Sequence, residues 1–397
     1  MNEIHHCEVC GNKDLRSVFN LGKHPLCDDL VPIGNSRICK EYPIEILFCD
    51  ICLTAHQRFQ VPPKELFTDS YHYRARVTGS VLTGMSDLVD SCEQRLGTIK
   101  GKTVLDVGCN DGSLLNYFES KGCLTIGVEP TGAAAESRHK TLNTFFDEDT
   151  ANEILRAVGH PDIITFTNVF AHIENLPELL TNLRLLISDN TIVVIENHYL
   201  GAILDSGQFD TFYHEHPRTY SFKSFEYIAK SLGLNLIDVQ FVSRYGGNIR
   251  VYLGHSKQTT IVIDESRFVQ EFGVMNNDFF SWKSETIDLI EKLVQVHGPL
   301  RAKAFPGRAA IIIKVLGLNE SHISAVYEIK GSIKVGHYVP GTRIPILPEA
   351  ELFAKDDLSK PIINLAWHIP AEVRANLASH GYSGQVIDIH KFKGELK

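Results

Sequence analysis

The sequence predicts an α/β protein: a doubly wound sheet in the middle, a small cysteine-ligated domain before it and a second α/β domain after it. Three observations lead there. Two Cys-x-x-Cys pairs stand within the first 52 residues, a β-branched run at 103–107 breaks into a glycine turn and an amphipathic stretch, and further apolar runs then alternate with a leucine-rich helix. Strand and helix in alternation are the pattern of a mostly parallel sheet covered by helices.

The totals are those of a multidomain globular chain. There are 397 residues, 43% hydrophobic and 22% charged, too many for one core. The formal net charge of -9 and the lack of a Lys/Arg run argue against binding a nucleic-acid backbone or an acidic membrane surface. The N-terminus has no basic-then-apolar leader pattern, and no apolar run reaches the roughly 18 residues of a membrane span. The expectation is a cytoplasmic protein with neither nucleic-acid nor membrane partners. Its nine cysteines are then thiols or metal ligands rather than disulfides.

The first element, residues 1–70, is read as a zinc-binding domain. Cys7, Cys10, Cys49 and Cys52 form two knuckles whose spacing turns both sulfurs of each pair toward one tetrahedral ion. All four positions are protein ligands, so the zinc is expected to be structural. Ile44, Ile46 and Phe48 alternate as a strand, and with Phe19 and Leu21 they are expected to fold over the site. Cys27, Cys39, His5, His6 and His56 do not repeat the knuckle spacing and are left out.

The second element, residues 71–257, begins its sheet at Thr103–Val107. Gly108 and Gly112 bracket a turn, and Leu114, Leu115 and Phe118 mark one face of the helix that follows. Gly108 lets a ligand approach the backbone, while Asp106 and Asp111 offer carboxylates to an ammonium group, as at the amino-acid end of S-adenosylmethionine. The run 124–128 is a second strand ending at Glu129, whose carboxylate can accept from both ribose hydroxyls. A nicotinamide-binding domain also starts with glycines and an acidic residue, but its G-x-G-x-x-G spacing is absent here. Strands at 163–166 and 192–195 flank a helix from Leu176 to Leu186, which places Asn168, Phe170, His172 and Glu196 beyond the carboxyl ends of the strands.

The tract Phe209-Asp210-Thr211-Phe212-Tyr213-His214-Glu215-His216 is dense in titratable groups. Histidine serves as a general base, glutamate orients it, and tyrosine donates to a developing oxyanion. His-x-His beside a glutamate is also a possible metal-binding pattern. The third element, 258–397, starts with a long helix carrying Ile287, Ile290, Leu293 and Val294 on one face up to Gly298. Apolar runs at 309–313 and 323–327 then belong to a second α/β domain, and Pro306-Gly307-Arg308 can present N–H groups and a guanidinium to a diphosphate.

In order along the chain, the two knuckles, Tyr71-His72-Tyr73-Arg74 near Thr78-Gly79-Ser80, V-L-D-V-G-C-N-D-G, Asn168-Val169-Phe170-Ala171-His172-Ile173, Tyr-x-Glu-His, Pro306-Gly307-Arg308-Ala309, Pro340-Gly341-Thr342 and Ala366-Trp367-His368 resemble the nucleotide-sugar C-methyltransferases. The resemblance covers nearly the whole chain. It implies a central S-adenosylmethionine-dependent methyltransferase domain of Rossmann-like form, and a sugar bound to dTDP or GDP as substrate. Methylation at C-3 of a 4-keto-6-deoxy sugar, through an enolate and with inversion, is the implied reaction, in the making of a branched deoxysugar. His216 resembles the base, Tyr213 the residue at the ketone oxygen and Glu215 its substrate-orienting neighbour. The implied cofactor contacts are Asp106, Gly108, Asn110, Asp111, Glu129, Asn168, Phe170 and Tyr71; the implied substrate contacts are Tyr73, His172 and Arg308. Two departures stand out: His214 where an acidic residue is expected, and Arg74 and Arg76 where small hydroxyl residues are usual. Methylation of oxygen or nitrogen on a related sugar, and a zinc-bearing interaction protein without turnover, are the competing readings. The chain is expected to act as a monomer or homodimer.

Overall fold

β1 (Thr103–Val107) lies inside a seven-stranded sheet, because its four last residues are buried on both faces and can only be covered by layers of helix. The computed structural model describes residues 1–67, 73–256 and 261–390. β2 (Leu124–Val128), β3 (Lys140–Leu142), β4 (Ile163–Thr167) and β5 (Ile192–His198) join β1 in parallel. β6 (Asn235–Val242) and β7 (Asn248–Gly254) complete the sheet in the order β6-β7-β5-β4-β1-β2-β3, with β7 antiparallel to both its neighbours. The order reverses between β1 and β4, and this switch is where open α/β sheets bind ligands.

The helices between these strands have identifiable stops. Asp147 caps Glu148–Val158 by accepting from Thr150 N at 2.9 Å, and Asn175 caps Leu176–Leu186. Leu176, Leu179, Leu180, Leu183 and Leu186 form one buried face, at the spacing of a helix laid on a sheet.

The described residues fall into two compact units, neither of them continuous in sequence. The first comprises Met1–Ser17, Leu47–Ala202 and Glu215–Phe268 and holds the seven-stranded sheet. Its knuckle cysteines Cys7, Cys49 and Cys52 share one buried cluster with Leu105, Ile164 and Val193 of the sheet. Within it Arg218–Thr219 pairs antiparallel with Ala55–Gln57, so the segment after the second knuckle is stitched to the segment after His216.

The second unit comprises Val18–Ile46, Ile203–His214 and Val269–Lys397. It holds five parallel strands, β8 (Leu300–Lys303), β9 (Ile323–Glu328), β10 (Ile346–Pro348), β11 (Ile362–Asn364) and β12 (Val386–Asp388), in the order β10-β9-β8-β11-β12. The long helix Phe268–His297 ends at Gly298, whose φ of +69° a glycine adopts without strain. The apolar run 309–313 lies in a helix of this unit, Ala309–Val315, and all five of its residues are buried. Phe19 is not over the cysteines: its ring meets Phe279 at 5.3 Å and Phe212 at 6.3 Å in this second unit. Among the described residues no helix is long and apolar enough to cross a membrane.

Candidate active site and metal centre

The four cysteine sulfurs lie within 4.8 Å of one another, the only such group of metal-binding side chains among the described residues. Each knuckle is built by backbone hydrogen bonds. Gly11 N donates to Cys7 O at 2.8 Å and Cys7 N to Asn12 O at 2.7 Å; Leu53 N donates to Cys49 O at 2.9 Å and Cys49 N to Thr54 O at 3.0 Å. The second turn puts Leu53 at φ +57°, an unfavourable conformation for a leucine, held by the hydrogen bonds around it. Cys7 Sγ is 3.3 Å from Cys52 Sγ and Cys10 Sγ 3.5 Å from Cys49 Sγ. Hydrogen bonds with Cys52 and Cys7 pull the Cys49 thiol down, whereas those of Cys52 with Cys49 and Cys7 push the Cys52 thiol up. Four thiolates this close need a cation among them, and a soft tetrahedral set of sulfurs suits zinc. The His-x-His pattern at 214–216 forms no comparable group.

The site is tied into the first unit by charge. Glu8, between the first two ligands, pairs with Arg218 at 2.6 Å and accepts from Gln60 Nε2 at 2.8 Å. Arg218 is fully buried and also donates to the carbonyls of Ile173 and Glu174 and to Tyr220 Oη. Ser221 Oγ donates to Cys52 O at 3.1 Å.

At the other end of β1 lies the cofactor turn. Gly108 has φ +74°, and a Cβ there would stand 2.5 Å from Val169 Cγ2, so only glycine fits. Asn110 is at φ +51°, and Gly112 at +77° starts the helix Ser113–Ser120. Glu129, at the tip of β2, accepts from Asn110 N at 2.9 Å, Thr131 N at 2.9 Å and Thr131 Oγ1 at 2.6 Å. A carboxylate has about four acceptor positions, so capacity for a hydroxyl remains. Asp111 accepts from Ser113 and from Arg76 N, while Asn110 accepts from Ala75 N and donates to Tyr73 O. This is how the segment carrying Tyr73 is fastened to the turn. Asp106 is buried, accepts from Thr165 Oγ1 at 2.7 Å, and is pushed up to about 7; burial raises it, the Thr165 bond opposes, and the Glu129 charge adds. A carboxyl so placed gains from any cation brought beside it.

The tips of β4, β5 and β7 meet beside this turn. Glu196 is fully buried and accepts from Arg250 Nε at 2.8 Å, from Asn248 Nδ2 at 3.2 Å and from Arg244. Asn248 also donates to Asn168 Oδ1 at 3.1 Å, holding Asn168 at φ +54°. Buried Thr167 Oγ1 and Asn248 Oδ1 have no partner among the described residues, as polar groups at a ligand edge do. Phe170, expected at the cofactor, is a core ring instead. It is fully buried among Phe166, Tyr220 and Phe225, because its apolar face completes the layer under β4.

His172 and His216 do come together. Their rings stack at 5.0 Å, His198 approaches His216 at 5.2 Å, and Phe67 stacks on His172 at 5.5 Å. Burial, with the His216 charge adding to it, holds His172 well below the usual histidine range. Tyr245 lies 5.8 Å from His198 and its hydroxyl is 3.0 Å from that of Tyr73. His198 and Tyr245 were missed by sequence reasoning; Tyr245 sits at φ +56° in a short turn between β6 and β7, which no spacing motif flags. Glu215 is buried in the first unit. Tyr71 falls outside the described residues.

In the second unit, Tyr213 is partly buried and His214 is buried, with His214 Nε2 3.1 Å from Tyr42 O. The carbonyl explains the departure from an acidic residue: a neutral imidazole donates to it, and a carboxylate repels it. Arg308 contacts Asp210 through Nε at 2.8 Å and Nη2 at 2.7 Å, and Gln208 Oε1 at 3.2 Å.

Three family models match successive stretches of the chain: a zinc binding domain over 7–67, a methyltransferase domain over 81–239 and a C-methyltransferase C-terminal domain over 243–387. The C-methyltransferase NovU of Streptomyces niveus is 26% identical over 393 residues, 94% of this chain and 92% of its own length. Among solved structures, the magnesium protoporphyrin IX methyltransferase of Synechocystis PCC 6803 with bound SAH is 14% identical with a TM-score of 0.35, over 46% of this chain and 85% of that one. CalO1, a methyltransferase in calicheamicin biosynthesis, is 18% identical with a TM-score of 0.32, over 43% and 54%. The metal-ready cysteines, the cofactor turn and the ordered domains have one joint reading: the chain belongs to the S-adenosylmethionine-dependent C-methyltransferases that carry a zinc-binding N-terminal domain and a C-methyltransferase C-terminal domain.

Proposed function

We propose that the enzyme methylates C-3 of a nucleotide-linked 4-keto-6-deoxy sugar through an enolate, with inversion at that carbon. The observation that carries this reading is the ring cluster of His172, His198 and His216. Carbon methylation needs a base, and His216 sits where a neighbouring imidazole is held neutral by burial. Asp106, Gly108, Asn110, Asp111, Glu129 and Asn168, with Tyr71, hold the cofactor, which when bound supplies an electrophilic methyl on sulfonium. His216 takes the proton from C-3, and the electron pair moves toward the C-4 oxygen. Tyr213 donates a hydrogen bond to that oxygen, and Glu215 orients the sugar. Tyr73 and His172 are the proposed substrate contacts; Arg308, expected beside them, is taken up by Asp210 and Gln208.

The test is a panel of nucleotide-linked keto sugars deuterated at C-3. Loss of deuterium with gain of a methyl on carbon is expected; a methyl on a hydroxyl or amine rejects the proposal. His216→Ala should lower turnover by about 10²–10⁴-fold with cofactor affinity retained, the usual contribution of a general base. Near-normal turnover would remove His216 from that role.

A further inference from the structure

Asp210 is the one acidic member of the 209–216 tract that the proposed chemistry does not use. Its carboxylate is fully buried. Arg308 meets it with two nitrogens, at 2.8 and 2.7 Å, and Trp367 Nε1 donates to the same carboxylate at 2.9 Å. The guanidinium also lies 5.1 Å from the centre of the Trp367 ring. The neighbouring backbone is held as well: His390 Nε2 is 3.1 Å from Gly207 O, and the Phe209 ring meets Phe279 and Trp282 at 4.9 Å each.

All of these groups belong to the second unit. Arg308 and Trp367 lie in the stretch matched by the C-methyltransferase C-terminal domain, whereas Asp210 lies in the stretch matched by the methyltransferase domain. A bidentate guanidinium-carboxylate pair fixes orientation as well as distance. Trp367 sets that orientation further, since its N–H engages the carboxylate and its ring the guanidinium. Only two residues separate Asp210 from Tyr213, so pinning the carboxylate also pins the stem from which the tract leaves.

We infer that Asp210 is a positioning residue for the methyl transfer, gripped by Arg308 and Trp367, so that the C-terminal domain acts on the chemistry by placing the Tyr213 stem. Arg308 then serves the reaction through Asp210 and not as a ligand of the substrate diphosphate. The inference rests on the proposed function for the reaction it serves. The grip itself is independent of the substrate's identity.

Asp210→Asn, Arg308→Lys and Trp367→Phe separate the two roles. The last leaves both charged partners and an aromatic ring in place while removing the N–H donor and part of the indole, so it reports on the clamp even if the first two fold poorly. Each protein is assayed for zinc content, SAH affinity, kcat, KM for the sugar nucleotide, and amide exchange over residues 207–214. A misplaced reacting group of about 1 Å costs on the order of 10²-fold. The expected result is a kcat lowered by about 10- to 100-fold in Asp210→Asn, less in Trp367→Phe, with KM within about twofold and faster exchange at 207–214. A raised KM with unchanged kcat in Arg308→Lys overturns the inference, because it makes Arg308 a substrate ligand. Unchanged exchange in all three variants overturns it too. Should the wild type methylate a hydroxyl, the proposed function fails, and the same kcat and KM comparison with that acceptor still judges the clamp.

Discussion

Asp106 shows how one side chain can couple cofactor binding to pH. Burial pushes its carboxyl up to about 7, so near neutrality it is partly protonated in the protein alone. An ammonium group beside it favours the ionised form, and binding must then expel a proton. Cofactor affinity is therefore expected to fall as pH drops below about 7, approaching tenfold per unit. Titration of SAH by calorimetry between pH 8 and 5.5, in buffers of different ionisation heat, measures the proton released. Asp106→Asn should flatten the profile; an equally steep profile in that variant would assign the slope elsewhere. At this scale the sequence was legible where strand ends and knuckles have short local signatures: the structure puts Asp106 and Gly108 at the end of β1, Glu129 at the tip of β2 and the four cysteines in one group. His198, Tyr245 and the clamp on Asp210 could not be read that way, since their partners are brought together from segments far apart in sequence.

The metal knuckles show the same coupling between elements. Cys7, Val9, Cys49 and Cys52 belong to the buried cluster that also contains the central strands and Phe222, Phe225 and Ile228. Thr54 Oγ1 lies 3.0 Å from Cys52 Sγ and 2.7 Å from Ser224 Oγ, and Ser224 sits in the capping box of the helix Phe222–Ser231. Metal loss should therefore loosen that helix as well as the N-terminus. Cys49→Ser, or chelation of the wild type, is expected to remove the metal, lower the melting temperature and speed amide exchange over 222–231. A variant that loses the metal but keeps its melting temperature contradicts a structural role. Binding of zinc by such sites is worth roughly 10–16 kcal/mol in isolated fingers, so the effect should be large even when the sheet supports the knuckles. Element type was readable where a period existed, as in the leucine face of 176–186. Packing across the chain was not readable in the same way: the partners of Phe19, Phe212 and Phe279, lie almost two hundred residues or more away.

Across the whole molecule, buried histidines determine the response to acid. Burial lowers His24, His172, His214 and His368; the last two fall to about 4. For each, the folded chain binds a proton less readily than the unfolded chain, whose imidazoles titrate near 6.5. Their contribution to stability is thus complete above about pH 6.5 and is lost as pH falls through the window down to about 4. His214, only 3% exposed, can account for up to about 3 kcal/mol by itself. Asp106 has the opposite sign: its raised folded value means that stability is gained as pH falls from about 7 toward the unfolded carboxyl range. Glu265, raised by burial, acts in the same direction as Asp106. With His56 and His139, six histidines are lowered by burial, against three raised carboxyls, Asp106, Glu174 and Glu265, so acid should destabilise the protein between pH 6.5 and 4. Asp210 adds nothing in that window: burial raises it most, but the charge and hydrogen bonds of Arg308, with His390 and Trp367, together hold its titration below the ordinary carboxylate value. Urea midpoints at pH 7.5, 6.0 and 5.0 test this directly. A steady decline is expected in the wild type, with a shallower one in His214→Gln, which retains a side-chain donor for the Tyr42 carbonyl and cannot be protonated. If the midpoint holds level from pH 7.5 to 5.0, the histidines are not what limits the fold in acid.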